Sequence, residues 1–444
     1  MRVSTAFSRL LCLPGVWIRA VEFPPARVVV TVALRARLLR CPKCSYSTAH
    51  RESVQHHDSV WRHLDLGAWR LEIHACLRRL RCPEHGALVE GVPFARYGAR
   101  FTADFENLVA WLATKTDKTA ICRLTRIDWQ TVGRIIERVG DELLDESRLD
   151  DLFEISIDEV AWRKGHRYLT LVGDHRRRAV VWGTEGKGKA AADEFFQELD
   201  PLEQVEQDAA DSAEIQAQAP AEEQAEQKIG ERAAKLVAVS MDMTGGYAKS
   251  VREHAPQATI VIDNYHVVQL ATKALDEVRR EHWNELRQAG EKGAARAFKD
   301  ARWSLLKNPG DLTDRQLDTL TALQAAGGKV PRAWAMKEMV RAIFAPSLTV
   351  DDVTQLIARL LSRLSRSRLE PFIRMGRTIR KHREGILAAR RLKLSNARAE
   401  ALNNKAKLIV RRAYGFHSAR AALALIHLTC GPVTLTLPHE QKLA

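Results

Sequence analysis

Two hydrophobic periods alternate along the chain. Residues 15–39 hold "VWIRAVEF" and "RVVVTVALRA", β-branched runs separated by Pro24-Pro25, and they predict two strands. From Phe101 to Leu144 the period is helical. Residues 152–183 return to strands, "LFEISIDEVAW", "RYLTLVGD" and "AVVWGT", with "GDHRRR" turning between the last two. Strands resume at "KLVAVSMD" (235–242) and "TIVID" (259–263), with helical "GYAKSVREHA" between them, a parallel β-α-β unit. From 267 to about 415 the pattern is helical, broken at "NPGD", "AAGGKVP" and "APS".

At 444 residues the chain predicts several domains rather than one core. Lys+Arg 69 against Asp+Glu 55 leaves a formal charge of +14, which favours a polyanionic partner, nucleic acid first. No apolar run approaches the ~20 residues of a membrane span. The N-terminal "MRVSTAFSRLLCLPGVWIRAVEF" is broken by Pro14 and Arg19 and reads as mature sequence, so a cytoplasmic location is expected. Residues 200–231 are a low-complexity Ala/Gln/Glu tract, read as an exposed acidic insertion.

Four of the seven cysteines lie in one short region. "CPKC" (Cys41, Cys44) and "CPEH" (Cys82, His85) each place two ligands on a tight knuckle, and two knuckles complete a zinc tetrahedron. The knuckles are 37 residues apart, and His50, His56, His57, His63 and Cys76 are possible substitutes. A closed Cys/Cys/Cys/His set would be a structural site. Reduced cysteines beside surface histidines are the plainer alternative. After them, "TKTDKTAICRLTRIDWQTVGRIIERV" spaces Ile121, Leu124, Val132, Ile135 and Ile136 as a core and breaks at "TRID". That outlines a helix-turn-helix with Gln130, Thr131 and Arg134 opening the reading helix; an ordinary helical hairpin fits the same spacing.

Three apolar strands end in aspartate: Asp158, Asp242 and Asp263. Open α/β sheets gather their sites at such strand ends, and carboxylates converging there can hold Mg²⁺. A three-strand meander, a helix, then a fourth and fifth strand is the order of an RNase H-like domain. That fold carries its first two carboxylates on strands one and four, here Asp158 and Asp242. Taking Asp263 as the second ligand is the alternative. A third carboxylate is expected from "SNARAEALNNKAKLIVRRAYGF". There Leu402, Ala406, Ile409 and Ala413 form an apolar stripe, and Asn396, Glu400, Asn403, Lys407 and Arg411 a polar face. Glu400 would be the ligand, with Lys407 and Arg411 placed for phosphates.

Six ordered blocks, from "ISIDEVAWRKGHRYLTLVGD" through "VAVSMDMTGGYAKSVREHAPQATIVIDNYHVV", "RWSLLKN", "AWAMKEMVRAIF" and "TIRKHREGIL" to "SNARAEALNNKAKLIVRRAYGF", resemble the bacterial insertion-sequence transposases of the ISL-three family. The resemblance implies a DDE transposase that cuts and joins DNA using two Mg²⁺ or Mn²⁺ ions held by Asp158, Asp242 and Glu400. The fold class it implies is multidomain α/β: a zinc-binding module (1–95), a helix-turn-helix (100–148), an RNase H-like core (152–268) interrupted at 200–231, an inserted all-helical domain (269–390) and a C-terminal catalytic helix (391–430). "DNYH" is similar to a signature of hAT and Mutator-like transposases, which makes Asp263 and His266 a supporting pair. Arginines of the helical insertion (Arg363, Arg366, Arg368, Arg374, Arg377, Arg380, Arg383) would meet phosphate backbones or form a solvated surface. The implied partners are double-stranded DNA, as transposon ends and target, and further copies of the chain; no membrane partner is expected. The final His85, where the family usually has cysteine, is a departure. Two rivals fit the same residues: a catalytically dead zinc/helix-turn-helix repressor, and an RNase H-like nuclease that does not join strands.

Overall fold

The computed structural model describes residues 2–201, 230–243, 245–392, 394, 397–413 and 415–441; most of the acidic tract, at 202–229, and Asn396 lie outside them. The chain forms two compact units, Met1–Asp145 with Leu408–Ala444, and Glu146–Lys407.

In the first unit, helix α1 (Val3–Leu11) precedes strands β1 (Val16–Glu22) and β2 (Arg27–Leu34), the predicted pair. The Pro24-Pro25 pair removes two backbone donors, so the chain turns there. Two short pairs follow around the cysteine knuckles: β3 (Leu39–Arg40) with β4 (Ser47–Thr48), and, later in the chain, β7 (Arg79–Cys82) with β8 (Gly86–Val89). Between them a long hairpin, β5 (His57–Leu66) and β6 (Trp69–Leu77), joins the first sheet in the order β1-β2-β6-β5. This hairpin accounts for the long spacing between the knuckles: the intervening residues build a sheet. Its alternation buries Leu71, Ile73 and Ala75 against Val28, Val30 and Val32.

Three helices complete this stretch: α2 (Ala103–Lys115), α3 (Lys118–Thr125) and α4 (Trp129–Leu143). Their caps are legible. Thr102, Asp117 and Asp128 each accept a backbone N–H of the first turn. Ile121, Val132, Ile135 and Ile136 are buried as expected, but Leu124 is 66% exposed, because α3 ends one residue later and turns that face to solvent.

The second unit is built on a five-stranded sheet of order β11-β10-β9-β12-β13. Strands β9 (Glu154–Arg163), β10 (Arg167–Asp174) and β11 (Ala179–Glu185) are an antiparallel meander. Helices α5 (Lys189–Leu199) and α6 (Glu231–Ala234) lead to β12 (Ala238–Met241), then α7 (Gly245–His254) and β13 (Thr259–Ile262). Both β12 and β13 run parallel to β9. Asp200 accepts the backbone N–H groups of Arg232 and Ala233 at 2.9 and 2.8 Å, so the two flanks of the acidic tract are pinned side by side.

A continuous helical stretch follows: α8 (Asn264–Gln288), α9 (Lys292–Asp300), α10 (Arg302–Leu306), α11 (Asp314–Ala326), α12 (Lys329–Ala342), α13 (Val350–Ser365), α14 (Glu370–Lys381), α15 (Arg383–Arg391) and α16 (Ala397–Arg412). One face of the sheet packs on α5 and α7 through Ile155, Ile157, Phe195, Phe196, Val239 and Val251. The other face meets α15 through Val261, Ala388 and Ala389. The helices have a core of their own, from Val267 through Phe372 to Leu387.

Two last helices, α17 (Ala419–Cys430) and α18 (Pro438–Gln441), belong with the first unit. The stretch expected as one catalytic helix, 391–430, therefore divides: α16 carries the polar face, and α17 packs on α2 and α4. Gly140 permits that packing, since a Cβ there would stand 3.2 Å from Cβ of Ala424. Among the described residues, no helix is long and apolar enough to cross a membrane.

Candidate active site and metal centre

The sequence repeats Ser-x-Asp at the ends of two strands, Ser156-Ile157-Asp158 and Ser240-Met241-Asp242. Parallel pairing sets Ser240 beside Ser156 and Met241 beside Ile157, so the next step brings Asp242 alongside Asp158. Strand alternation turns Ile157 and Met241 into the core and both Ser-x-Asp pairs to the opposite face. Two like charges here are costly. Burial pushes the Asp158 carboxyl up; the Glu159 amide, His266 and Lys407 draw it back, and Asp242 pushes it up again.

Helix α16 closes over this face. The side-chain amide of Asn403, itself buried, donates a hydrogen bond to Oδ2 of Asp158. Leu402 packs near Gly173 of β10, where a Cβ would stand 2.8 Å from Oγ of Ser156, so the glycine leaves room for that serine. Glu400 lies one turn before Asn403, and Lys407 follows it by seven residues, so the two share one stripe of the helix. Lys407 is exposed, with its charge within reach of Asp158. Arg411 is also exposed and lies past Lys407, where α16 continues into the first unit.

Asp263 has a local task. It is the N-cap of α8, accepting the Tyr265 backbone N–H at 2.8 Å, and its carboxylate is 3.8 Å from Nε2 of His266. A carboxylate after a buried strand is paired by the helix that begins there. His266 in turn reaches toward Asp158 electrostatically. One neighbour was not anticipated: His382, between α14 and α15, is partly buried, which lowers its basicity, while Asp242 opposes that shift. It lies inside "TIRKHREGIL", and nothing in its spacing there singles it out. The two serines were missed as well, although the repeated Ser-x-Asp could have flagged them.

At the knuckles, Cys41, Cys44, Cys82 and His85 bring their donor atoms within 4.8 Å of one another. Sγ of Cys44 and Cys82 are 3.6 Å apart, and Nδ1 of His85 is 3.6 Å from Cys82 and 3.9 Å from Cys41. Zinc bonds of about 2.3 Å to sulfur make tetrahedral edges of roughly 3.8 Å, so the set fits zinc. Of the possible substitutes, Cys76 is on β6, and His63 is buried against the Thr102 hydroxyl at 2.7 Å. A second group, Asp193, Glu253 and His254, surrounds the Lys189 ammonium, 2.7 Å from both carboxylates, and reads as an ion-pair clamp between α5 and α7.

Helices α3 and α4 meet at Arg126, which takes a left-handed conformation (φ 56°). Its side chain bonds Asp65 at 3.1 Å and the Ala68 carbonyl at 2.9 Å, fixing the turn to the β5-β6 hairpin. Gln130 and Arg134 are exposed on the first turns of α4, and Thr131 is half-buried there, donating its hydroxyl to Asp128.

A family model described as "Transposase" matches residues 155–220 and 217–426, and one described as "Helix-turn-helix domain of transposase family ISL3" matches residues 90–140. The chain is 35% identical over 436 residues to the transposase for insertion sequence element IS1557 of Mycobacterium tuberculosis, covering 93% of this chain and 90% of that protein, in both the CDC 1551 and H37Rv strains. It is 26% identical over 409 residues to the transposase for insertion sequence element IS1001 of Bordetella parapertussis, covering 90% and 92%.

Proposed function

Since the chain belongs to transposase family ISL3 and is a DNA transposase with a helix-turn-helix, we propose that Asp158, Asp242 and Glu400 are the carboxylates with which it cuts and joins DNA. The observation that carries this reading is the meeting of three distant segments: two Ser-x-Asp strand ends in register, and a helix whose Asn403 bonds Asp158. The strand order 3-2-1-4-5, with three antiparallel strands and two parallel ones, supports an RNase H-like core carrying an inserted helical domain.

The family implies divalent metal, and the donor set suits it: paired oxygen ligands in a desolvated site, whose mutual repulsion a cation relieves. When bound, two Mg²⁺ or Mn²⁺ ions supply activation of a water or 3′-hydroxyl and stabilisation of the departing oxygen. The protein's own residues do the rest. Asp158, Asp242 and Glu400 would be the oxygen ligands that hold the ions. Asn403 orients the Asp158 carboxylate, Lys407 offers its charge to a phosphate, and Asp263 holds His266 beside the site. The Cys41/Cys44/Cys82/His85 set, with no open position, would hold structural zinc and shape its hairpins. Gln130, Thr131 and Arg134 would read the terminal inverted repeats from the start of α4, with Arg411 as a further phosphate contact. Two ends must be paired during the reaction, so the working form would be at least a dimer.

The test is a cleavage and strand-transfer assay with Mg²⁺ on duplexes carrying the element's ends. Alanine at Asp158, Asp242 or Glu400 is expected to lower cleavage and joining by at least about 100-fold while end binding persists. Undiminished activity of any one variant would remove that residue from the set. Cleavage with no joining of pre-cut ends would favour the nuclease reading.

A further inference from the structure

Helices α12 and α13 enclose an open cavity of about 760 Å³ within the second unit. Arg332, Met336 and Met339 line it from α12, Arg359, Ser362 and Arg363 from α13, and Arg366 from the C-cap of α13. Among the described residues, none of these four arginines has a carboxylate within ion-pair distance. Neighbouring arginines differ: Arg341, Arg374 and Arg377 pair with Glu338, Glu277 and Glu370. Even Glu338, the nearest acid on α12, is taken up by Lys337 and Arg341. The hydrogen bonds of the four are few and weak in charge: Arg332 to the Gly328 carbonyl, Arg363 to the Met339 sulfur, Arg366 to Ser362. Each guanidinium has five donors, so most remain free.

We propose that this cleft binds the phosphate backbone of DNA without reading its bases, which decides for Arg363 and Arg366 between a phosphate contact and a solvated surface. The proposal rests on the transposase reading for its choice of polyanion. Spacing argues for a strand. Arg359 and Arg363 of α13 and Arg366 at its C-cap follow one stripe, spread over roughly 10 Å, a length that passes about three phosphates of one strand. A row of exposed cations suits a chain of charges better than one compact anion. The floor is methionine, with no aromatic ring to stack on a base, so recognition there is indifferent to sequence.

The experiment uses the full-length protein without added divalent cation and two duplexes of equal length, one with the DNA flanking its gene and one scrambled. Binding is followed from 50 to 200 mM salt for the wild type and for a triple variant, Arg359→Gln, Arg363→Gln and Arg366→Gln. The variant's log–log salt slope is expected to be about 2.7 shallower on both duplexes, with the preference between them unchanged. These side chains are exposed, so its melting curve should match the wild type; a matching curve with an unchanged slope overturns the proposal. In a parallel titration with inorganic pyrophosphate, tight binding lost in the variant without a slope change would assign the cleft to a free polyphosphate and overturn it too. If the wild type prefers its flanking duplex while the slope stays put, only the cleft fails. If the wild type binds neither duplex, the transposase reading fails with it.

Discussion

Asp158 sits where its carboxyl is pushed upward by burial and by Asp242. The sign follows. The folded state holds this proton more tightly than the unfolded chain, so stability declines as pH rises from the ordinary carboxylate range through the raised value, and is level above it. Asp158→Asn removes the charge but keeps the shape. At pH 7 without magnesium it should be more stable than the wild type by about 1 kcal/mol, or some 2–4 °C, and the gain should vanish in acid. Thermal melts across pH read this directly; equal melting at every pH would contradict the burial argument. Asp263, alike in sequence setting, does a different job, because the helix that starts after it supplies the amide its carboxylate needs.

At the scale of elements, much was legible and the losses have physical causes. Strand ends, helix caps and both knuckles follow from local period and residue chemistry. The long gap between knuckles was visible only as a number; that it holds a hairpin of the first sheet depends on pairing between β2 and β6, which no local pattern encodes. The Asn403 bond to Asp158 spans 245 residues, and Leu124 looked like core because its period matched while its helix stopped short. The knuckle hairpins share only a small apolar core, Leu39, Leu80 and the cysteines with Tyr46 and Leu88 beside them, so a bound zinc would add much of their stability. One zinc per chain is expected by elemental analysis. Cys82→Ser should lose it and open β7-β8 to amide exchange, since structural zinc contributes on the order of 10 kcal/mol to such modules. Retained zinc in that variant would exclude the tetrahedral set.

For the whole molecule, the decisive feature is that the first unit is assembled from both ends of the chain. Helix α17 buries Leu425, Ile426 and Leu428 within the unit that holds the helix-turn-helix. At roughly 2 kcal/mol each, these three alone match the stability of an ordinary domain. Deleting residues 415–444 should therefore abolish end binding although Gln130, Thr131 and Arg134 remain, with a lowered melting transition. Unimpaired binding by the truncated protein would show that α2, α3 and α4 stand without α17.

That same split arrangement sets an order of events during synthesis. The ribosome makes the recognition helices early, then the 262 residues of the second unit (146–407), and only afterwards the helix that seals them. At 5–20 residues per second the wait is roughly 15–60 s. A message cut short anywhere in that interval yields a chain holding the helix-turn-helix on an unfinished core. Such fragments would not compete for the element's ends, so only a fully translated copy would occupy them.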